Sequence, residues 1–336
     1  MAVTLRDVAR MAEVSIKTVS NVINDYPHIR PETRARVEAA IAELGYRPNL
    51  SARSLRRGRT GVIGLALPEL SLPYFAELAD SVMRAADRRG LTVLIEQTEG
   101  DPARERSVLT SARRQLTDGL LFSPLGLGSA DEPELAVDYP LVLLGERIFT
   151  DRVDHVTMQN VAAARAATAH LLASGRRRIL ALGAHEGEQV GSAPLRTQGY
   201  REALEAAGVG FDERLVGASG PWHRANGAAA MRRIIASGVA FDAVFAFNDT
   251  LALGAIRALQ DAGLRVPADV AVMGFDDIDE SAYSVPSLSS IAPGRDEIAQ
   301  TAVDVLQARI DGTATAPPRR HEAAFTVQER ESTASS

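Results

Sequence analysis

The sequence predicts a small α-helical N-terminal head followed by an α/β body of two doubly wound parallel-sheet lobes. Three observations lead there. Residues 1–48 carry three amphipathic helix patterns and no strand pattern. From Gly61 onward, short apolar runs alternate with helical stretches, the mark of parallel strands covered on both faces. Past Asn160 the alternation starts afresh, which implies a second sheet.

The head comes first. Thr4 can cap a helix, with Asp7 as its acidic partner, and Leu5, Val8, Ala9 and Ala12 then share one face. Ser15 can cap a second helix that buries Val19, Val22 and Ile23. Its other face shows Ile16, Lys17, Ser20 and Asn21. Two short helices so spaced read as a helix-turn-helix, whose second helix enters the major groove of DNA. A generic three-helix bundle is the alternative. The third helix runs from Pro31 to Leu44 and stops at Gly45, with Val37, Ile41 and Leu44 as its apolar stripe.

Residues 49–60 form a basic joint. Asn49 can cap about two helical turns, Leu50 to Arg57, before Gly58. A helix that short is marginal alone. It carries Arg53, Arg56, Arg57 and Arg59 for phosphates, and Leu55 with no obvious core to enter. Two readings stand: a hinge helix ordered by DNA and a second copy of the chain, or a solvated basic linker. Residues 1–60 hold 11 Lys/Arg against 6 Asp/Glu, whereas the rest holds 26 against 37. That split fits a nucleic-acid-binding head on an acidic body. No cysteine occurs, which excludes disulfides and thiol chemistry and fits a cytoplasmic protein. The N-terminus does not read as a signal peptide, and no apolar run is long enough to span a membrane.

In the body, strands are expected at Gly61–Leu67, Leu91–Ile95, Gly119–Phe122 and Leu141–Leu144, with helices at Tyr74–Arg89 and Pro102–Arg114. After the restart, helices are expected at Val161–Ala173, Leu195–Ala207, Arg224–Ser237 and Thr250–Ala262. Strands fall at Arg178–Leu182, Ala243–Ala246 and Val270–Gly274. Ligands of such folds bind beyond the C-terminal ends of the strands.

TLRDVARMAEVSIKTVSNVIN, RPETRARVEAAIAELGYRPN and ARSLRRGRTGVIGLALPE closely resemble the lactose-repressor/galactose-repressor family of bacterial transcription regulators. The likeness continues in LPYFAEL, RTQGYREAL, FAFNDTLALGAIRAL and RVPADVAVMGFDDI, so it covers about residues 3–330. It implies a homodimer, a palindromic double-stranded DNA operator and a small-molecule effector, expected to be a sugar. It also implies a periplasmic-binding-protein-like body at 61–330, one lobe of 61–159 plus 292–323 and the other of 160–290 plus 324–330. Residues 331–336 are expected to be a disordered tail. That tail lacks the leucine heptads of the family's tetramers, which favours a dimer.

By position, the resemblance places Ile16, Lys17 and Asn21 on bases, within a DNA-binding set that also includes Thr4, Leu5, Ser15, Thr18, Ser20 and Asn24. Asn21 could pair with adenine, Lys17 with guanine and Ile16 with a thymine methyl. Leu55 falls where the family wedges a leucine into the minor groove, with Asn49, Ala52, Arg53 and Arg56 around it. Two departures stand out. Glu13 takes a turn position where glycine is common, and Arg30 precedes Pro31 where a serine cap is usual.

For the effector, the resemblance points to Arg196, Asn248 and Asp276, which together suit a polyol: carboxylate to accept, guanidinium to donate, amide for both. Capping of the following segment is the competing reading for Asp276, and the favoured one for Asp249. Trp222, the only tryptophan, can stack on a sugar ring, and Tyr74 and Phe75 stand at the matching lip, with core packing as the alternative. Ser123, Glu146 and Gln159 complete the set. Gln159 replaces a common aspartate.

No catalytic, cofactor or metal motif is present. Gly126–Asp131 starts like a dinucleotide loop but lacks its third glycine, and the six histidines lack metal-ligand spacing and read as surface residues. The function expected is a non-enzymatic, sugar-controlled repressor of carbohydrate-metabolism genes. The alternatives are a purine or nucleoside effector, or a solute-binding protein of the same body fold.

Overall fold

The computed structural model describes residues 3–23, 26–46, 59–111 and 116–334. Two compact units result, one within Met1–Thr60 and one within Gly61–Ser336. The expectations for Asn24, Asn49, Ala52, Arg53, Leu55, Arg56 and the hinge helix lie outside the described residues.

The head is three helices, α1 (Leu5–Met11), α2 (Ile16–Ile23) and α3 (Pro31–Leu44). The Asp7 carboxylate accepts from both the backbone N–H and the hydroxyl of Thr4, at 2.9 and 2.6 Å. Thr18 N–H donates to Ser15 Oγ at 3.0 Å, so a serine caps α2. Glu13, between them, sits at φ 50, a left-handed conformation that costs a residue with a Cβ about 1 kcal/mol. Val8, Val19 and Val37 meet in a core with no exposure at all.

The body begins with β1 (Val62–Leu67), α4 (Pro73–Asp87), β2 (Thr92–Gln97), α5 (Pro102–Thr110), β3 (Gly119–Phe122), β4 (Leu141–Leu144) and β5 (Asp154–Met158). It continues through α6 (Asn160–Ala173), β6 (Ile179–Ala184), α7 (Ser192–Ala206), β7 (Val216–Ala218), α8 (Arg224–Ala236), β8 (Ala243–Ala246), α9 (Asp249–Asp261) and β9 (Ala271–Met273). After α10 (Asp279–Tyr283) come β10 (Ser290–Ala292), α11 (Arg295–Ile310), β11 (Arg320–Ala323) and β12 (Thr326–Gln328).

Six parallel strands in the order β11-β5-β4-β3-β1-β2 form the first lobe, and four in the order β7-β6-β8-β9 form the second. A short antiparallel pair, β10 with β12, lies where the chain passes between them. Helix α11 returns to the first lobe and packs on α4 and the sheet. Helices α6 and α7 touch backbone to backbone, since a Cβ on Gly199 would lie 2.2 Å from the Val161 carbonyl.

β5 is buried along its whole length although it reads Asp-His-Val-Thr-Met. Asp154 accepts from Arg309 Nε at 2.7 Å and from Arg319 N–H at 2.9 Å, so its charge is paired. His155 corrects the reading of all histidines as surface residues: it is 1 % exposed, with Nε2 2.5 Å from the Gly145 carbonyl. Burial holds its imidazole below the ordinary value, hence neutral.

The C-terminal segment also departs from expectation. Instead of a disordered tail, Glu331–Thr333 makes a 3-10 turn with Ser332 and Thr333 buried. Ser332 Oγ donates to the Val272 carbonyl at 2.6 Å and accepts from Ser289 N–H at 2.8 Å. Small polar side chains suit this place because each satisfies sheet-edge groups that would otherwise be buried unpaired.

Candidate functional site

The head presents one face of α2. Ser15, Ile16 and Lys17 are exposed, and Thr18, Ser20 and Asn21 are half-buried beside them. Ile16, an apolar side chain left 41 % exposed at the helix start, has no role in the head's own core. Thr4 is exposed and Leu5 half-buried at the start of α1. An exposed helix N-terminus flanked by hydroxyls and a lysine is the geometry that places side chains on base edges.

The body holds a cavity of about 220 Å³ between its lobes. Tyr74, Phe75, Ser123 and Glu146 line it from the first lobe, and Arg196, Trp222, Asn248 and Asp276 from the second. Gln159 stands apart. It precedes α6, its Nε2 donates to the Ala323 carbonyl at 3.2 Å, and it borders a different hollow with Arg165 and Arg320. The backbone turn from β5 into α6 aims this side chain at β11 instead of the cleft.

Asp276 is 6 % exposed, yet no hydrogen-bond donor among the described residues reaches its carboxylate. Its nearest cation is Arg196, 3.9 Å away. Burial pushes its carboxyl well above its ordinary value, with Arg196 pulling it back. The backbone is strained here: Asp276 and Asp277 sit at φ 114 and φ 48. What holds them is a set of bonds on every side. Asp276 N–H donates to the Ile291 carbonyl at 2.8 Å, Arg295 Nη1 to the Asp276 carbonyl at 3.2 Å, and Arg330 pairs with Asp277 at 2.7 Å. A buried acceptor fixed in place without a donor is prepared for one brought by a ligand.

Arg196 is itself 2 % exposed, and its Nε donates to Asn160 Oδ1 at 2.8 Å. One Nη donates to the Phe247 carbonyl, and the guanidinium lies 3.5 Å from the centre of the Phe275 ring. Burial lowers its pKa. Asn248 Oδ1 accepts from Leu251 N–H at 2.8 Å, and Nδ2 donates to the Trp222 carbonyl at 3.1 Å. The helix cap is therefore Asn248. Asp249, expected in that role, is instead fully buried, accepting from Ile278 N–H at 3.0 Å and from the Ser281 and Ser290 hydroxyls at 2.7 and 2.6 Å. Trp222 donates its indole N–H to the Gly183 carbonyl at 2.9 Å, which fixes the ring at the cavity wall. Burial raises the Tyr74 hydroxyl pKa, helped by Glu146 and Asp276 nearby.

Sequence reasoning missed a charged rim. Arg147 Nη1 donates to Glu188 Oε1 at 2.5 Å and to the Val190 carbonyl at 2.7 Å, joining one lobe to the other. His185 Nδ1 lies 2.6 Å from Glu188 Oε2, and His223 Nε2 lies 3.2 Å from Glu69 across the cleft. Glu146 also bridges the lobes, accepting from Thr157 Oγ1 at 2.8 Å and Ser192 Oγ at 2.7 Å. His185, read from sequence as a surface residue, and Glu188 become part of the wall only because their loop folds over Arg147.

Residues 4–49 match the model of bacterial regulatory proteins of the lacI family, and residues 168–333 match that of the periplasmic binding protein-like domain. The ribose operon repressor of Escherichia coli (strain K12) is 34 % identical over 309 residues, 91 % of this chain and 93 % of its own length. Among solved structures, a putative LacI-family transcriptional regulator from Sanguibacter keddieii DSM 10542 is 52 % identical with a TM-score of 0.76, covering 82 % of this chain and 99 % of that one. The lac repressor dimer bound to operator and the anti-inducer ONPF is 28 % identical with a TM-score of 0.85, covering 99 % of both chains. Together with the helical head and the two-lobed parallel α/β body, these likenesses make the chain a transcriptional regulator of the lacI family.

Proposed function

We propose that this regulator represses a sugar-utilisation operon, binding a palindromic operator as a homodimer through α2 and the basic joint at residues 49–57. A sugar in the interlobe cleft changes its affinity for the operator. The observation that carries the effector role is Asp276, a buried carboxyl group that no donor among the described residues reaches, facing a cavity lined by aromatic rings and hydrogen-bonding groups. Vicinal hydroxyls of a sugar donate to it, and Tyr74, Phe75 and Trp222 offer flat faces for the ring's C–H groups. Sugar control is supported by the likeness to a ribose operon repressor, and operator binding by the likeness to an operator-bound dimer. The physics is linkage: a 100-fold change in operator affinity requires a coupling of about 2.7 kcal/mol between the two sites.

Two measurements test this. Binding of the full-length protein to a palindromic duplex should weaken steeply with salt, because phosphate contacts release counterions, and a flat response removes the DNA role. Asp276→Asn should keep operator affinity within about twofold and weaken sugar binding about 100-fold, the loss of two hydrogen bonds to a buried carboxyl group. Unchanged sugar binding by that variant sinks the assignment.

A further inference from the structure

The charges around the cleft bear on which sugars it admits. Three carboxylates line it beside the buried Asp276 (Glu69, Glu146 and Glu188), against two guanidiniums, Arg147 and Arg196. Both cations are already engaged by the protein's own groups. Arg196 is occupied by Asn160, the Phe247 carbonyl and the Phe275 ring, with Asp276 at 3.9 Å. Arg147 commits Nη1 to Glu188 and the Val190 carbonyl, and its Nε is buried without a partner.

The other anion-binding device of such folds, the helix N-terminus, stands beside the protein's own carboxylates and caps. At the start of α7, the Glu146 carboxylate already accepts from Ser192 Oγ at 2.7 Å. At α9, Asn248 Oδ1 takes the Leu251 N–H. Helix α4 opens with Pro73, which has no N–H, and the Phe75 N–H goes to the Leu72 carbonyl at 3.0 Å. At α8, His223 holds Glu69. A phosphoryl group brought here meets the carboxylates of Glu69 and Glu188 at the rim, with the buried Nε of Arg147 as an unpaired donor among the described residues.

We propose that this cleft selects uncharged sugars and rejects phosphorylated ones, with Glu188, held over Arg147 and His185, as the main discriminating residue. The proposal rests on the cleft being the effector site. Glu188 cancels the Arg147 cation, which would otherwise attract an anion, so it acts by repulsion and by occupying Arg147. Its ionisation is opposed by burial and favoured by the bonds from His185 and Arg147, which win and hold it below the ordinary range.

The test is calorimetry and thermal shift on the full-length protein with ribose, glucose, galactose and cellobiose, set against ribose 5-phosphate, glucose 6-phosphate and inorganic phosphate. At least one neutral sugar should raise the melting temperature, and every phosphorylated probe should bind at least about 100-fold more weakly. Glu188→Gln, nearly equal in volume, should narrow that gap about tenfold by leaving Arg147 uncancelled. Should that variant fail to fold, Glu69→Gln tests the same repulsion from the opposite lip. A phosphorylated sugar bound by the wild type as tightly as its neutral parent overturns the selection but keeps a sugar effector. An unchanged gap in the variants overturns the role of the rim carboxylates. If no probe of either kind binds the folded protein, the sugar reading itself falls, and this proposal with it.

Discussion

Asp249 shows how a single side chain can be misjudged from its neighbours in sequence. Next to a helix start, an aspartate reads as a cap, but Asn248 takes that bond and Asp249 turns inward to hold the loop after β9. Burial pushes its carboxyl up to about 7, against the pull of the Ser290, Ser281 and Ile278 bonds. The native state therefore keeps a proton that the unfolded chain releases near pH 4. Stability from this group is complete below that pH and is lost as pH rises to about 7. Asp249→Asn should remove that downward slope, read as urea midpoints between pH 4 and 7, with an amide N–H facing Ser290. An identical slope in the variant would contradict the assignment. Gly274 belongs to the same cluster, since a Cβ there would lie 2.1 Å from Asp249 Oδ1. Arg196, Asn248 and Asp276 were legible as cleft residues through the family resemblance, and Trp222 through its place in a loop between a strand and a helix. Gln159 was not, because its direction depends on how β5 turns into α6.

At the scale of elements, α5 has a function its sequence hides. Glu105 is fully buried and accepts from the backbone N–H groups of Leu125, Gly126 and Leu127 at 2.8, 3.0 and 2.7 Å. The loop that began like a dinucleotide-binding turn thus cradles a carboxylate from its own chain. Leu125 in that loop lines the cleft. Glu105→Ala should cost about 3 kcal/mol or more through three unpaired buried donors, and should weaken sugar binding by displacing Leu125. Urea denaturation with sugar titration reads both, and a loss below about 1 kcal/mol would exclude this anchoring. Apolar strands such as Leu141–Leu144 are legible as uninterrupted runs. β5 escaped because its burial is supported by Arg309, by Glu146 and by the Gly145 carbonyl, partners that its own five residues do not announce, as did β7, β11 and β12, which are short and carry few apolar residues.

For the molecule as a whole, the C-terminal segment ties the second lobe together. Arg330 pairs with Asp277 and donates to the Leu288 carbonyl at 2.7 Å, and Thr333 lies 2.7 Å from Ser289 Oγ and 2.8 Å from His170 Nε2. Removing residues 330–336 should cost about 2–4 kcal/mol, from the buried groups left unpaired. Sugar binding should suffer too, since the strained backbone at Asp276 loses a support. Chemical denaturation of the truncated chain checks the first, and a midpoint equal to the full chain's would show the segment to be dispensable. The two-lobed architecture was readable from the alternation of strands and helices; this closing strap was not, since Ser and Thr look the same in sequence whether solvated or buried.

Trp222 has a practical consequence. It is the sole indole in the chain, its ring is fixed against Gly183, and a guanidinium lies 5.2 Å from its centre. Intrinsic emission excited at the red edge of the absorption band therefore originates at one point on the cleft wall. Occupancy of the cleft can be followed optically in the unlabelled chain, on operator or free, with no dye to disturb either equilibrium.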